Sequence, residues 1–180
     1  QELTKFGGRI DLLGMAPDGS LVLIELKRDR TPREIIAQAL DYASWVEDLD
    51  ARDLVNIYQR FTAGGLLDQD FANRFGNQLD EDLINDSHQI VIVAAELDDS
   101  TERIVTYLND RDIAINVVFF QVFENGDQKL LSRAWLIDPS ETQANVATTA
   151  KQGGEKEPWN GEYYVSFGPP EHRLWDEARK

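Results

Sequence analysis

Three charged side chains interrupt two apolar runs near the start of this chain. Asp11 sits in Gly8-Arg9-Ile10-Asp11-Leu12-Leu13, and Glu25 and Lys27 sit in Leu21-Val22-Leu23-Ile24-Glu25-Leu26-Lys27. Two carboxylates and an ammonium group gathered on one face could hold a divalent cation, with an amine beside it to orient water or balance charge. Whether the three meet is decided by the elements that carry them.

Both runs are rich in Leu, Ile and Val and are separated by Pro17-Asp18-Gly19, the pattern of a β-hairpin. A type I turn over Pro17 and Asp18, closed by Gly19 in the left-handed conformation, pairs Ala16 with Ser20. Asp11 then lies across from Glu25 and Arg9 across from Lys27, all four on one face. A two-residue Asp18-Gly19 turn would instead send Asp11 to the face opposite Glu25 and Lys27. The Pro before Asp-Gly favours the first register. Opposed like charges cost about 0.2–1 kcal/mol at exposed positions, and a semi-buried pair costs more unless a cation or proton intervenes. A divalent metal would resolve the conflict. The plainer alternative is a pair of surface salt bridges, Asp11 to Arg9 or Lys27 and Glu25 to Lys27 or Arg28.

After Lys27 the pattern turns helical. Thr31-Pro32-Arg33-Glu34 reads as an N-cap, a first-position Pro and a capping-box Glu, so a helix is expected over residues 32–49. Ile35, Ile36, Ala39, Leu40, Ala43, Val46 and Leu49 recur at helical spacing and would cover one face of the sheet. Gln38 and Tyr42, four apart, project together.

Asp11 followed by Glu25-Leu26-Lys27 resembles the PD-(D/E)XK nuclease superfamily, with Ile10 standing where that name has Pro. The wording Gly-Arg-Ile-Asp-Leu-Leu-Gly and Ile-Glu-Leu-Lys-Arg is similar to its NucS-like branch. Gln38-x-x-x-Tyr42 resembles a further motif of its RecB-like and NucS-like members. The resemblance covers roughly residues 5–138. It implies a restriction-endonuclease-like α/β sandwich around a mixed sheet, and Mg²⁺- or Mn²⁺-dependent DNA endonuclease activity in repair or in defence against foreign DNA. RNA is not excluded. It further implies Asp11 and Glu25 as metal ligands, with the Leu26 carbonyl as a further candidate. Lys27 would orient or deprotonate the attacking water or stabilise phosphate charge, and Gln38 and Tyr42 would position water or phosphate. Lys5, Arg9, Arg28, Arg30 and Arg33 are the candidate contacts to flanking phosphates. The helix that usually opens this fold and often supplies a Glu is missing or lies upstream of Gln1, and Glu2 is a poor substitute. The competing class is a binding module of the same fold that docks nucleic acid or protein without catalysis.

Composition bears on the metal and the partner. The chain has no cysteine and two histidines, His88 and His172, neither of them in a motif. A cation would be held by oxygen, which selects Mg²⁺ or Mn²⁺. The formal charge of −15 argues against a protein that coats nucleic acid. Bases nonetheless concentrate beside the proposed site, six against five acids over residues 1–33 and 12 against 28 beyond. No apolar run is long enough to span a membrane. With no leader pattern after Gln1, a cytoplasmic protein is expected.

The rest of the chain supplies the frame. Residues 52–62 and 68–75 are expected as an acidic helical insertion, and 90–95 as a central strand. A helix is expected from Asp99 to about Arg111, and residues 115–123 and 129–137 as a hairpin around Asn125-Gly126. The nuclease-like domain is expected over 1–139, with 140–158 as a linker. The tail, 159–180, reads as the start of a second small module or as an arm that folds back on the first domain. A homodimer is compatible with the sequence.

Overall fold

The computed structural model describes residues 2–3, 8–27, 33–126, 128–149 and 165–167. Its architecture is α/β. A mixed six-stranded sheet has the order β7-β6-β5-β4-β3-β8, built from β3 (Leu12–Met15), β4 (Leu21–Lys27), β5 (His88–Ala94), β6 (Ile115–Asn125), β7 (Gln128–Trp135) and the short edge strand β8 (Val165–Phe167). Strands β4, β5 and β6 run parallel, while β3, β7 and β8 pair antiparallel to their neighbours. A separate two-stranded ribbon joins β1 (Glu2–Leu3) to β2 (Arg9–Ile10).

The first hairpin has the register expected from its turn. Leu12 opposes Ile24 and Met15 opposes Leu21. The Ala16 and Gly19 amides close the turn onto the Ser20 and Ala16 carbonyls. Gly19 has φ +82°, the left-handed conformation that a Cβ disfavours. The Asp18 carboxylate accepts from both the amide and the hydroxyl of Ser20, which locks the loop.

Helix α1 (Glu34–Glu47) begins two residues later than expected. Arg33 occupies its N-cap position without a side-chain cap, so Glu34 opens the helix rather than closing a capping box. Thr31 and Pro32 lie outside the described residues. Ile35, Ile36, Ala39, Ala43 and Val46 bury against Leu13, Leu23, Ile92 and Val117 on one face of the sheet. Helix α4 (Asp99–Asn109) shares that face, packing on α1 and β6. Its N-cap is Asp98, whose carboxylate accepts from the Thr101 amide. The insertion forms α2 (Ala51–Phe61) and α3 (Leu67–Phe75), joining the same core through Leu54, Ile57, Leu67 and Phe71. Val22, Val91 and Val118 form a smaller cluster on the reverse face, with Ile24, Val93 and Trp135 packed against it.

One expectation for the C-terminal third needs correction, and one of the two readings of the tail is met. Residues 139–149, read as the end of the domain and the start of a linker, form α5 (Pro139–Thr149), which packs on β5 and β6. The helix lacks an apolar stripe because polar groups dock it. The Thr142 hydroxyl accepts from Asn109 and Asn116, and the Asn145 amide donates to the Asn109 carbonyl. Val146 is its one large apolar anchor and is fully buried. Of the tail, Val165–Phe167 folds back as strand β8 on β3, which matches the arm reading at those residues. The helix start read at 175–179 lies outside the described residues.

Candidate active site

The site is built where β4 ends. In a strand alternate residues share a face, so Leu21, Leu23, Glu25 and Lys27 point to the side covered by α1, and Val22, Ile24 and Leu26 to the other. Leu21 and Leu23 accordingly belong to the α1 core and Val22 to the reverse cluster. The hairpin register brings Asp11, in the bend between β2 and β3, beside Glu25 on that same face.

Glu25 is 1% exposed, and its Oε1 is buried without a hydrogen-bond partner. Burial pushes its pKa up from the usual 4.5 to about 7, the negative charge of Asp11 pushes the same way, and the nearby Lys27 ammonium offsets part of the effect. Desolvation disfavours the charged form of any acid, and a second carboxylate beside it adds repulsion. Asp11, half-buried, is held by the Leu26 backbone, whose N–H donates to Oδ2 at 3.0 Å. Leu26 thus fixes one carboxylate through its amide while its side chain, 42% exposed, faces the other way.

The Gln38 and Tyr42 pair on α1 is joined to this hairpin. The Gln38 side-chain amide donates to the Tyr42 hydroxyl at 2.8 Å, and the Arg9 backbone N–H donates to the same oxygen at 3.1 Å. Tyr42 is buried, so its oxygen anchors the strand entering Asp11 to the helix above it. With the oxygen accepting from both donors, the phenolic proton is left to donate elsewhere.

The expected phosphate contacts fare unequally. The Arg9 side chain is exposed beside the site. Arg33 is also exposed and pairs with Glu34 at 3.5 Å. Lys5, Arg28 and Arg30 lie outside the described residues. Glu2, in β1, pairs in register with Ile10. Among the described residues no group of three or more Asp, Glu, His or Cys converges on one point.

The donor set fits a hard divalent cation. Mg²⁺ keeps several waters and is bound through one or two carboxylates together with substrate phosphate. Asp11 and Glu25 provide such a pair, and the partnerless buried oxygen of Glu25 is a position that a cation, a proton or an ordered water can satisfy. The roles of the Leu26 and Arg9 amides were not read from the sequence. A backbone N–H leaves no trace in residue identity, although the hairpin register carries the parity that puts the Leu26 side chain on the reverse face.

Comparison of the chain with protein-family models, with curated proteins and with solved structures returned no match. No helix among the described residues is long and apolar enough to cross a membrane.

Proposed function

We propose that this chain is a Mg²⁺- or Mn²⁺-dependent endonuclease acting on DNA, with a restriction-endonuclease-like fold. The observation that carries the reading is Glu25, a buried carboxylate beside Asp11 with one oxygen unpartnered and an elevated pKa. A sheet tolerates this arrangement where a ligand neutralises it.

In this reading Asp11 and Glu25 hold the cation, with the Leu26 carbonyl available as a further oxygen. When bound, the cation supplies Lewis acidity to the scissile phosphate and lowers the pKa of water. Lys27 places its ammonium on the same face, where it orients water and balances charge developing on phosphate. Gln38 and Tyr42 position the hairpin, and the Tyr42 hydroxyl proton is directed at water or a phosphate oxygen. The exposed Arg9 side chain meets a flanking phosphate without reading sequence.

The test is cleavage of branched, mismatched, paired and single-stranded DNA in Mg²⁺ and in Mn²⁺. Asp11→Ala and Lys27→Ala should each lower cleavage by at least about 100-fold, the scale set by removing one transition-state-stabilising group. Calorimetric titration should show Mn²⁺ binding that Asp11→Ala abolishes. Cleavage that survives both substitutions overturns the mechanism. Mn²⁺ binding without cleavage of any substrate leaves a nucleic-acid-docking module in place of an enzyme.

A further inference from the structure

Strand β7 is the last strand on one side of the sheet, and among the described residues nothing pairs with its outer edge. It also outlasts the sheet beside it. The register aligns Lys27 of β4 with Ala94 of β5 and Phe119 of β6 in one row, where described β4 and β5 end. Strand β6 runs on to Asn125, paired to β7 throughout. Residues 120–125 therefore stand about 20 Å beyond that row as a two-stranded arm, at about 3.3 Å per residue. The arm rises at the end of the sheet that carries Glu25 and Lys27.

An open edge is a row of main-chain donors and acceptors, and another polypeptide strand satisfies it. Charged side chains often guard such an edge, but those of β7 are engaged inside the hairpin. Lys129 pairs with Glu124 at 3.7 Å, and the Arg133 guanidinium lies 5.9 Å from the centre of the Trp135 ring. Apolar side chains stand on both faces of the arm, with Val122, Phe123, Leu130 and Leu131 each more than half exposed. This exceeds what a solvated hairpin needs, and an added strand covers both faces at once. Residues 115–135 hold two acids and two bases in a chain of net charge −15, so like-charged copies meet the least repulsion here.

We infer that β7 pairs antiparallel with β7 of a second copy about a two-fold axis through Leu130. This rests on the hairpin and not on the nuclease reading. Asn125 and Gln128 flank a two-residue turn, whose closing pair exchanges both main-chain hydrogen bonds. The alternation then turns the N–H and C=O groups of Leu130 and Ser132 toward β6 and those of Lys129, Leu131 and Arg133 to the open edge. An axis through Leu131 would set Lys129 against Arg133 of the second copy, a like-charge pair. An axis through Ser132 would part the two Leu130 side chains. The axis through Leu130 opposes no like charges and joins Phe123 and Leu130 to Leu130 and Phe123 of the second copy in one apolar row. Ser132 then meets Gln128 of the second copy on either side of that row, a polar rim around an apolar centre. On the reverse face Leu131 lies against the aliphatic stem of Lys129 of the second copy. A strand that complements itself in this way selects a second copy over a foreign strand, and the two-fold axis closes the assembly at two. The opposed positions, 128–132, span about 17 Å, a small contact that forms reversibly as concentration rises.

Light scattering over a concentration series should show the mass of the parent rising from 20.5 kDa toward twice that value. Leu130→Lys, at an exposed position outside the core, sets two ammonium groups face to face. The rise in mass should be lost, with thermal unfolding of the dilute protein unchanged. The chain has no cysteine, so single introduced thiols report the register. Under a mild oxidant Leu130→Cys should crosslink two copies, because directly opposed Cβ atoms about 4.5 Å apart suit a disulfide. Leu131→Cys should not, because its counterpart lies on the diagonal, about 7–8 Å away. A parent that stays at 20.5 kDa at every concentration overturns the inference. So does a rise in mass that survives Leu130→Lys, or crosslinking through Leu131→Cys in preference to Leu130→Cys, since either puts the contact elsewhere.

Discussion

Glu25→Gln separates the cost of a buried charge from the use of that charge. The folded chain raises the carboxyl pKa from 4.5 to about 7, so between those values the folded state binds more protons than the unfolded one. Stability must fall as pH rises through that window, and the loss is complete above pH 7. The interval corresponds to about 3 kcal/mol at pH 8, shrinking to below about 1 kcal/mol at pH 5. Gln keeps the shape and does not titrate. In a metal-free buffer the variant should therefore be more stable than the parent by about 3 kcal/mol at pH 8. That is a Tm about 6–12 °C higher for a chain of this size, with the difference nearly gone at pH 5. Adding Mn²⁺ at pH 8 should reverse the order. Cation at about 1,000 times its Kd stabilises the parent by about 4.1 kcal/mol, more than that gap, and the variant, with one charged ligand fewer, should gain much less. Thermal unfolding at the two pH values, with and without Mn²⁺, reads all of this. A gap of the same size at pH 5 and pH 8, or a variant less stable at both, would refute the claim that burial and Asp11 strain the Glu25 charge.

Two further substitutions probe how the site is held. Tyr42→Phe removes the oxygen that accepts from Gln38 and from the Arg9 amide. It should lower stability by about 1 kcal/mol in urea unfolding, because two part-buried donors lose their acceptor, while Mn²⁺ still binds to Asp11 and Glu25. Gly19→Ala places a Cβ 3.2 Å from the Leu83 carbonyl oxygen at a φ of +82°. A destabilisation of about 1–2 kcal/mol from the left-handed conformation alone is expected. Cleavage should fall in parallel, since this turn sets the register that brings Asp11 to Glu25.

Local chemistry wrote much of the site into the sequence. Pro17-Asp18-Gly19 contains the turn type, the turn type contains the register, and the register contains the shared face of Asp11, Glu25 and Lys27. The spacing of Ile35, Ile36, Ala39 and Ala43 contains the face of α1 that covers them, with Gln38 and Tyr42 one turn apart. These features depend on neighbours within a turn, a hairpin or a helix, and residue type carries that information. Long-range contacts were decided elsewhere. The depth at which Glu25 lies, and so its pKa, depends on how α1 closes over the strand. The bond from the Arg9 amide to Tyr42 spans 33 positions and uses a backbone atom common to nearly every residue. Helix α5 was illegible for the same reason. Its binding energy comes from Thr142 and Asn145 meeting Asn109 and Asn116, and polar residues signal a loop until their partners are in place. The arm of β6 and β7 shows the division most plainly. The sequence alone determined a hairpin around Asn125-Gly126, but only the parallel alignment of β4, β5 and β6 decided that it would rise beside the carboxylates. Strand order and relative length are properties of the assembled sheet, and no single segment encodes them.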